Sequence, residues 1–196
     1  MMKKTLRSMI NDERSQAFYK SIALSALLIL APMSGFAQDK PADQLLQQLA
    51  TANALEAVDL DRDLQAIWRR SGSAAMDLLL RRGERALEQQ APAEAIEHLT
   101  ALVDHAPEFA IARLRRAEAF ARLDQFGPAV ADLEQALHLN PDDYNALFVL
   151  GQILEQFRDP EKAYEAYTRA KAIHPHHEAV TNALKRLAPF TEGRKL

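Results

Sequence analysis

Three prolines, Pro107, Pro141 and Pro175, stand 34 residues apart each time. A proline inside a helix loses a hydrogen bond and clashes with the preceding turn, so a regular series of prolines reads as a regular series of helix ends. With each proline at position 32 of a unit, the chain divides into 76–109, 110–143 and 144–177. Position 8 is then Gly83, Ala117 and Gly151, and position 20 is Ala95, Ala129 and Ala163. Position 24 is Leu99, Leu133 and Tyr167, and position 27 is Leu102, Ala136 and Ala170. Small residues recur where two helices must approach closely, and large apolar ones recur where the space between them is filled. A fixed period of this length predicts stacked helical hairpins. Pro92, Pro128 and Pro160 open the second helix of each unit, where a missing N–H costs nothing, with Gly127 and Asp159 as expected N-caps.

The pattern resembles the tetratricopeptide-repeat (TPR) family, which has small residues at positions 8, 20 and 27, apolar ones at 4, 11 and 24, and proline at 32. The resemblance covers 102 of the 196 residues. Unit three is the cleanest, with Leu147, Gly151, Leu154, Ala163, Tyr167, Ala170 and Pro175. Unit two departs with Arg113 at position 4 and Arg116 at position 7, and unit one with Arg82 at position 7. The resemblance implies an all-α, right-handed solenoid of three hairpins over residues 73–177. Residues 67–77 resemble the entry into the repeats of a group of periplasmic bacterial TPR proteins of unsettled activity.

The flanks complete the layout. Residues 41–58, with Leu45, Leu46, Leu49 and Leu55, predict one amphipathic helix, and residues 60–69, with Leu64, Ile67 and Trp68, a second. Together they form an N-terminal helical segment over 38–72, broken by Ser71, Gly72 and Ser73. Val180, Leu184 and Leu187 predict a capping helix over 178–188 that covers the last hairpin, followed by a loose tail over 189–196. Residues 21–31 are a short uncharged apolar run, preceded by Lys3, Lys4, Arg7, Arg14 and Lys20 and followed by Gly35 and Ala37. That order predicts a signal peptide over 1–37, cleaved after Ala37, and hence a periplasmic or secreted protein. Met9 as the start would give a more ordinary basic region. The run is short of the ~20 residues that span a bilayer, so an uncleaved anchor is the competing reading.

Removing five basic and two acidic residues with the leader leaves 19 basic against 25 acidic side chains, a net charge of −6. Phosphate binding needs a clustered cationic face, so nucleic acid is not an expected partner. No cysteine is present, which excludes disulfides, a thiol nucleophile and lipid attachment through cysteine.

In TPR proteins the stripe at positions 5, 9, 12 and 13 lines the concave groove. Carried over, that implies a partner-binding groove of Leu80, Glu84, Leu87, Leu114, Glu118, Arg122, Phe148, Gln152 and Glu155. It reads as an apolar strip flanked by acids, suited to an amphipathic or extended protein segment with some positive charge. Family members that grip a partner's C-terminal carboxylates use Lys, Arg and Asn at groove positions. Glu84, Glu118 and a single Arg here predict no such clamp. Leu80, Leu114 and Phe148 have a second reading, as core covered by the upstream helices.

The expected function is therefore protein–protein adaptor. The alternatives are a self-associating structural protein and a peptidoglycan or lipid binder, the latter resting on Trp68, Arg69 and Arg70. His174, His176 and His177 form the densest histidine cluster, but around a repeat-ending proline, so no metal site is assigned. No cofactor motif appears, and no nucleophile motif, so no catalytic role is expected.

Overall fold

A computed structural model describes residues 41–192. Those residues form helices α1 (Pro41–Thr51), α2 (Ala54–Trp68), α3 (Ala74–Glu88), α4 (Pro92–His105), α5 (Ala110–Ala121), α6 (Phe126–Leu139), α7 (Tyr144–Gln156), α8 (Pro160–Ile173) and α9 (Glu178–Glu192), with no strand among them. The leader expected over 1–37 lies outside the described residues, as do the last four of the expected tail.

The 34-residue register is realised as three hairpins, α3–α4, α5–α6 and α7–α8, each packed on the next through α4–α5 and α6–α7. Small residues at position 8 permit the approach within a hairpin. A methyl group added at Gly83 would lie 2.5 Å from Leu99 Cγ, and one added at Gly151 would lie 2.4 Å from Tyr167 Cε1. Ala95, Ala117, Ala129, Ala163 and Ala170 are fully buried beside Leu99, Leu102, Leu133, Leu147 and Tyr167.

Each hairpin turns through the same device. Gln90, Asp124 and Arg158, all at position 15, take left-handed φ values of 59°, 56° and 57°. The next residue then reaches back to close the first helix, with Ala91 N–H donating to the Ala86 carbonyl at 2.8 Å, Gln125 to Phe120 at 2.9 Å and Asp159 to Leu154 at 3.0 Å. Glycine is the usual residue for this geometry, and its absence here leaves the turns without their ordinary sequence mark. Pro92 and Pro160 open α4 and α8 as expected, and Asp159 caps α8 by accepting from Lys162 N–H at 3.1 Å. Gly127 is not a cap. Helix α6 already starts at Phe126, and Gly127 lies in its first turn.

Unit two's irregular arginines are absorbed by a buried ion pair. Arg116 meets both oxygens of the buried Asp132, at 2.7 and 2.8 Å, and Arg113 approaches the same carboxylate at 3.6 Å. Two arginines thus satisfy one buried charge between α5 and α6, which is the condition for tolerating it.

The N-terminal segment breaks earlier than the leucine spacing suggests. Asn53 caps α2, accepting from Leu55 and Glu56 N–H, while the Glu56 carboxylate returns to Asn53 N–H at 3.2 Å. This reciprocal cap stops α1 at Thr51 and leaves Leu55 82% exposed. Leu49, Ala57 and Leu64 join the core of unit three together with Val180, Ala183 and Leu187 of α9. Helix α9 packs on α8, and it continues through Pro189 to Glu192 rather than ending near residue 188.

Candidate functional site

The first helices of the units, α3, α5 and α7, stand side by side, with α3 against α5 and α5 against α7. Their shared face carries positions 2, 5, 6, 9, 12 and 13. Four of the nine residues expected in the groove are core: Leu80 is 2% exposed, Leu114 0%, Leu87 5% and Glu84 8%. The continuous exposed strip of Leu80, Leu114 and Phe148 is therefore not on the surface. Position 5 lies one helical step from the packing face, and adjacent first helices, only a helix diameter apart, close over it. Leu80 also lines a hollow together with Asp61, Gln65 and Ala66 of α2 and its cap residue Arg69. Phe148 is half-buried, its ring 5.6 Å from that of Tyr167 and 5.4 Å from that of His177.

What remains open lies between α5 and α7. A cleft of about 690 Å³ is bounded by Arg115, Glu118, Ala121 and Arg122 on α5 and its end, and by Asn145, Phe148, Val149, Gln152, Ile153 and Gln156 on α7. Phe126 and His177 also line it. Of the expected groove residues, Glu118, Arg122, Phe148 and Gln152 line it, and Glu155 does not. Glu155 instead accepts from the Tyr167 hydroxyl at 2.6 Å and from Arg186 of α9 at 2.7 Å. Of the lining residues outside the expected set, Arg115, Asn145 and Val149 hold positions 2 and 6, Ile153 holds position 10, and Ala121 and Gln156 hold positions 12 and 13. Positions 2 and 6 lie on the same arc as position 9, so for them the helical period alone contained the signal.

The groove acids are not free. Glu84 pairs with Arg69 and accepts from Arg115 at 3.2 Å, and Arg115 reaches Glu118 at 2.9 Å. Burial works against the Arg115 charge, but Glu118 and Glu84 outweigh it and raise its pKa further. The expected acid-flanked strip is thus a neutralised network, and positive charge in a partner has little left to meet. Arg122 donates to the Leu87 carbonyl, which ties unit two's first helix to unit one.

The start of α7 holds two shifted groups. Asp143 caps it through Asn145 and Ala146 N–H at 3.0 and 3.1 Å, and burial pushes its carboxyl up to about 6. Burial also raises the Tyr144 phenol well above its ordinary value, helped by its hydrogen bond to Asp61. Gln65 donates to the same hydroxyl at 2.9 Å. Trp68, His174 and His177 surround the Tyr144 ring at centroid distances of 5.6, 5.0 and 6.0 Å. Burial holds both histidines below the usual imidazole range. The turn at the repeat-ending Pro175 is therefore an aromatic cluster that joins α2 and α9 to unit three. Among the described residues no group of His, Asp and Glu is arranged to hold a metal ion, and no helix is long and apolar enough to cross a membrane.

Comparison with known proteins identifies this architecture. The tetratricopeptide repeat pattern matches residues 80–127 and 123–178, just over half the chain. A TPR repeat-containing protein of Rhizobium etli is 24% identical over 154 residues, covering 78% of this chain and 76% of that protein. The bovine protein SGT1 homolog is 30% identical over 120 residues, and those residues span only 36% of its length. Among solved structures, the first TPR of Spaghetti (RPAP3), bound to the HSP90 peptide SRMEEVD, superposes with a TM-score of 0.58 at 26% identity. That match covers 61% of this chain and 95% of the other.

Proposed function

We propose that this chain, which belongs to the tetratricopeptide-repeat family, is an exported adaptor that holds a segment of an envelope protein in the cleft between α5 and α7. The observation that carries the reading is the cleft itself. Phe148, Val149 and Ile153 give it an apolar floor, and Asn145, Gln152 and Gln156 give it amide groups that both donate and accept hydrogen bonds. Such a lining suits an extended segment, whose apolar side chains drop onto the floor while its backbone bonds the amides. A peptide-bound neighbour of the same fold supports the class of partner. Its peptide is acidic, whereas Arg115 here already faces Glu84 and Glu118, so the segment bound by this chain is uncharged or nearly so.

Gln152 and Gln156 are exposed and make no side-chain hydrogen bond among the described residues, so arginine at both positions fills the cleft without touching the core. Recovery of the partner from envelope fractions by the Gln152→Arg, Gln156→Arg chain is expected to fall at least tenfold, with helicity unchanged. Undiminished recovery would sink the cleft as the site. Export is tested separately by the intact mass of the envelope form, expected to begin at Gln38; a species that keeps residues 21–31 would mean an anchored protein instead.

A further inference from the structure

Helix α2 stands outside the repeat series, which α3 begins and α9 covers at α8. It reaches from the start of α7 in unit three to α3 in unit one. Its N-terminal end sits by the unit-three turn, where Ala54, Ala57 and Val58 face His174, His176 and His177 across a shared hollow. Its middle meets Tyr144, and its C-terminal cap residue Arg69 meets Glu84 of unit one. Fifteen residues of helix are about 22 Å long, and three helices packed 8–10 Å apart span roughly the same distance.

The contacts are those of a bound helix. Ala57 and Leu64 are buried, with Leu60, Asp61 and Trp68 half-buried on the same face. The opposite face, with Leu55, Asp59, Arg62 and Asp63, is exposed. Asp61 and Gln65 hold the Tyr144 hydroxyl, Trp68 packs on the Tyr144 ring, and Arg69 pairs with Glu84. Both ends of the helix are joints: the capped break at Asn53, and residues 69–73, where Gly72 takes φ +80°.

We infer that α2 is an internal occupant of the concave face, and that an amphipathic partner helix of the same chemistry displaces it. The helix that fits has apolar residues at i, i+7 and i+11, a carboxylate at i+4 for the Tyr144 hydroxyl and an arginine at i+12 for Glu84, as Ala57, Leu64, Trp68, Asp61 and Arg69 have. This inference rests on the reading of the concave side as the partner face. It adds a second, concealed surface to the open cleft. While α2 is docked, the apparent affinity for such a helix is reduced by the fraction of chains in which the surface is free.

The test uses the full chain and a labelled peptide of residues 54–70. Asp61→Ala with Arg69→Ala removes two anchors of α2 and leaves the acceptor residues Tyr144 and Glu84 in place. Amides of α2 are expected to exchange at least tenfold faster in this variant, while those of α7 and α8 keep their protection. The peptide is expected to bind it at least tenfold more tightly than it binds the wild type, and adding Tyr144→Phe should weaken that binding again. A peptide carrying Leu64→Asp should not bind. Unchanged α2 exchange in the variant would overturn the inference, since α2 would then be held as core. Equal peptide affinity for the wild type and a variant with loosened α2 would overturn it equally. A native partner that needs Gln152 and Gln156 but leaves α2 exchange unaltered would keep the cleft and reject the displacement.

Discussion

Replacing Gly151 by alanine tests the helical register through one methyl group. The new Cβ would lie 2.4, 2.7 and 2.8 Å from Tyr167 Cε1, Cζ and Cδ1, closer than real contacts allow. The ring is held in place: Tyr167 is fully buried, its hydroxyl is bonded to Glu155 and the tilted ring of Phe148 lies 5.6 Å away. Overpacking of this kind costs about 1–3 kcal/mol, against a gain of up to ~1 kcal/mol for replacing a helical glycine by alanine. Gly127→Ala supplies the control, because nothing lies within 4 Å of its added methyl and it too sits in a helix. The difference between the two variants is then mostly the packing cost, and in a domain of this size it corresponds to roughly 2–12 °C in melting temperature. Gly83→Ala should fall between them, since unit two accepts Ala117 opposite Leu133 at the equivalent positions. Thermal melts followed by circular dichroism give the order directly. Equal melting temperatures for Gly151→Ala and Gly127→Ala would refute the close approach and, with it, the register.

Three further outcomes follow from the fold. Arg116→Met should destabilise by roughly 3 kcal/mol, the low end for a broken buried pair because Arg113 remains near Asp132, and adding Asp132→Leu should recover most of it in denaturant titrations. Arg158→Gly should stabilise by about 0.5–1 kcal/mol, because it relieves a left-handed φ of 57° at an exposed site, and the shift of the denaturation midpoint measures it. Asp143 and the histidines give opposite pH dependences. Asp143 has a folded pKa of about 6, so its contribution falls as pH rises from about 4 to 6, and Asp143→Asn should stabilise more at pH 7.5 than at pH 4. His174 and His177 are held below the ordinary value of about 6.5, so their contribution is complete above that value and is lost as pH falls through it.

The repeats were legible because their period is a packing constraint. Helices approach closely only where the side chain is small, and Gly83, Ala117 and Gly151 announce that on their own. The hairpin turns were hidden, since Gln90, Asp124 and Arg158 occupy a backbone region that glycine usually marks. The end of α1 was legible but was outweighed. Asn53 and Glu56 are the two halves of a reciprocal cap, yet Leu49 and Leu55 read as one continuous stripe until Leu55 proved exposed. The candidate site was the least legible part. Whether position 5 is open depends on neighbouring first helices and on α2, elements brought together only by the fold. The charge state of the groove likewise depends on Arg69 and Arg115 reaching Glu84 from different helices.

The central claim is that the partner is met on the concave side, at α7, rather than on the outer helices. A photo-crosslinking residue placed at exposed Gln152 in the cleft, or at exposed Arg169 on the second helix of the same unit, addresses it in living cells whatever the partner is. A discrete partner adduct from position 152 and none from position 169 is the predicted result. An adduct from position 169 alone would contradict it.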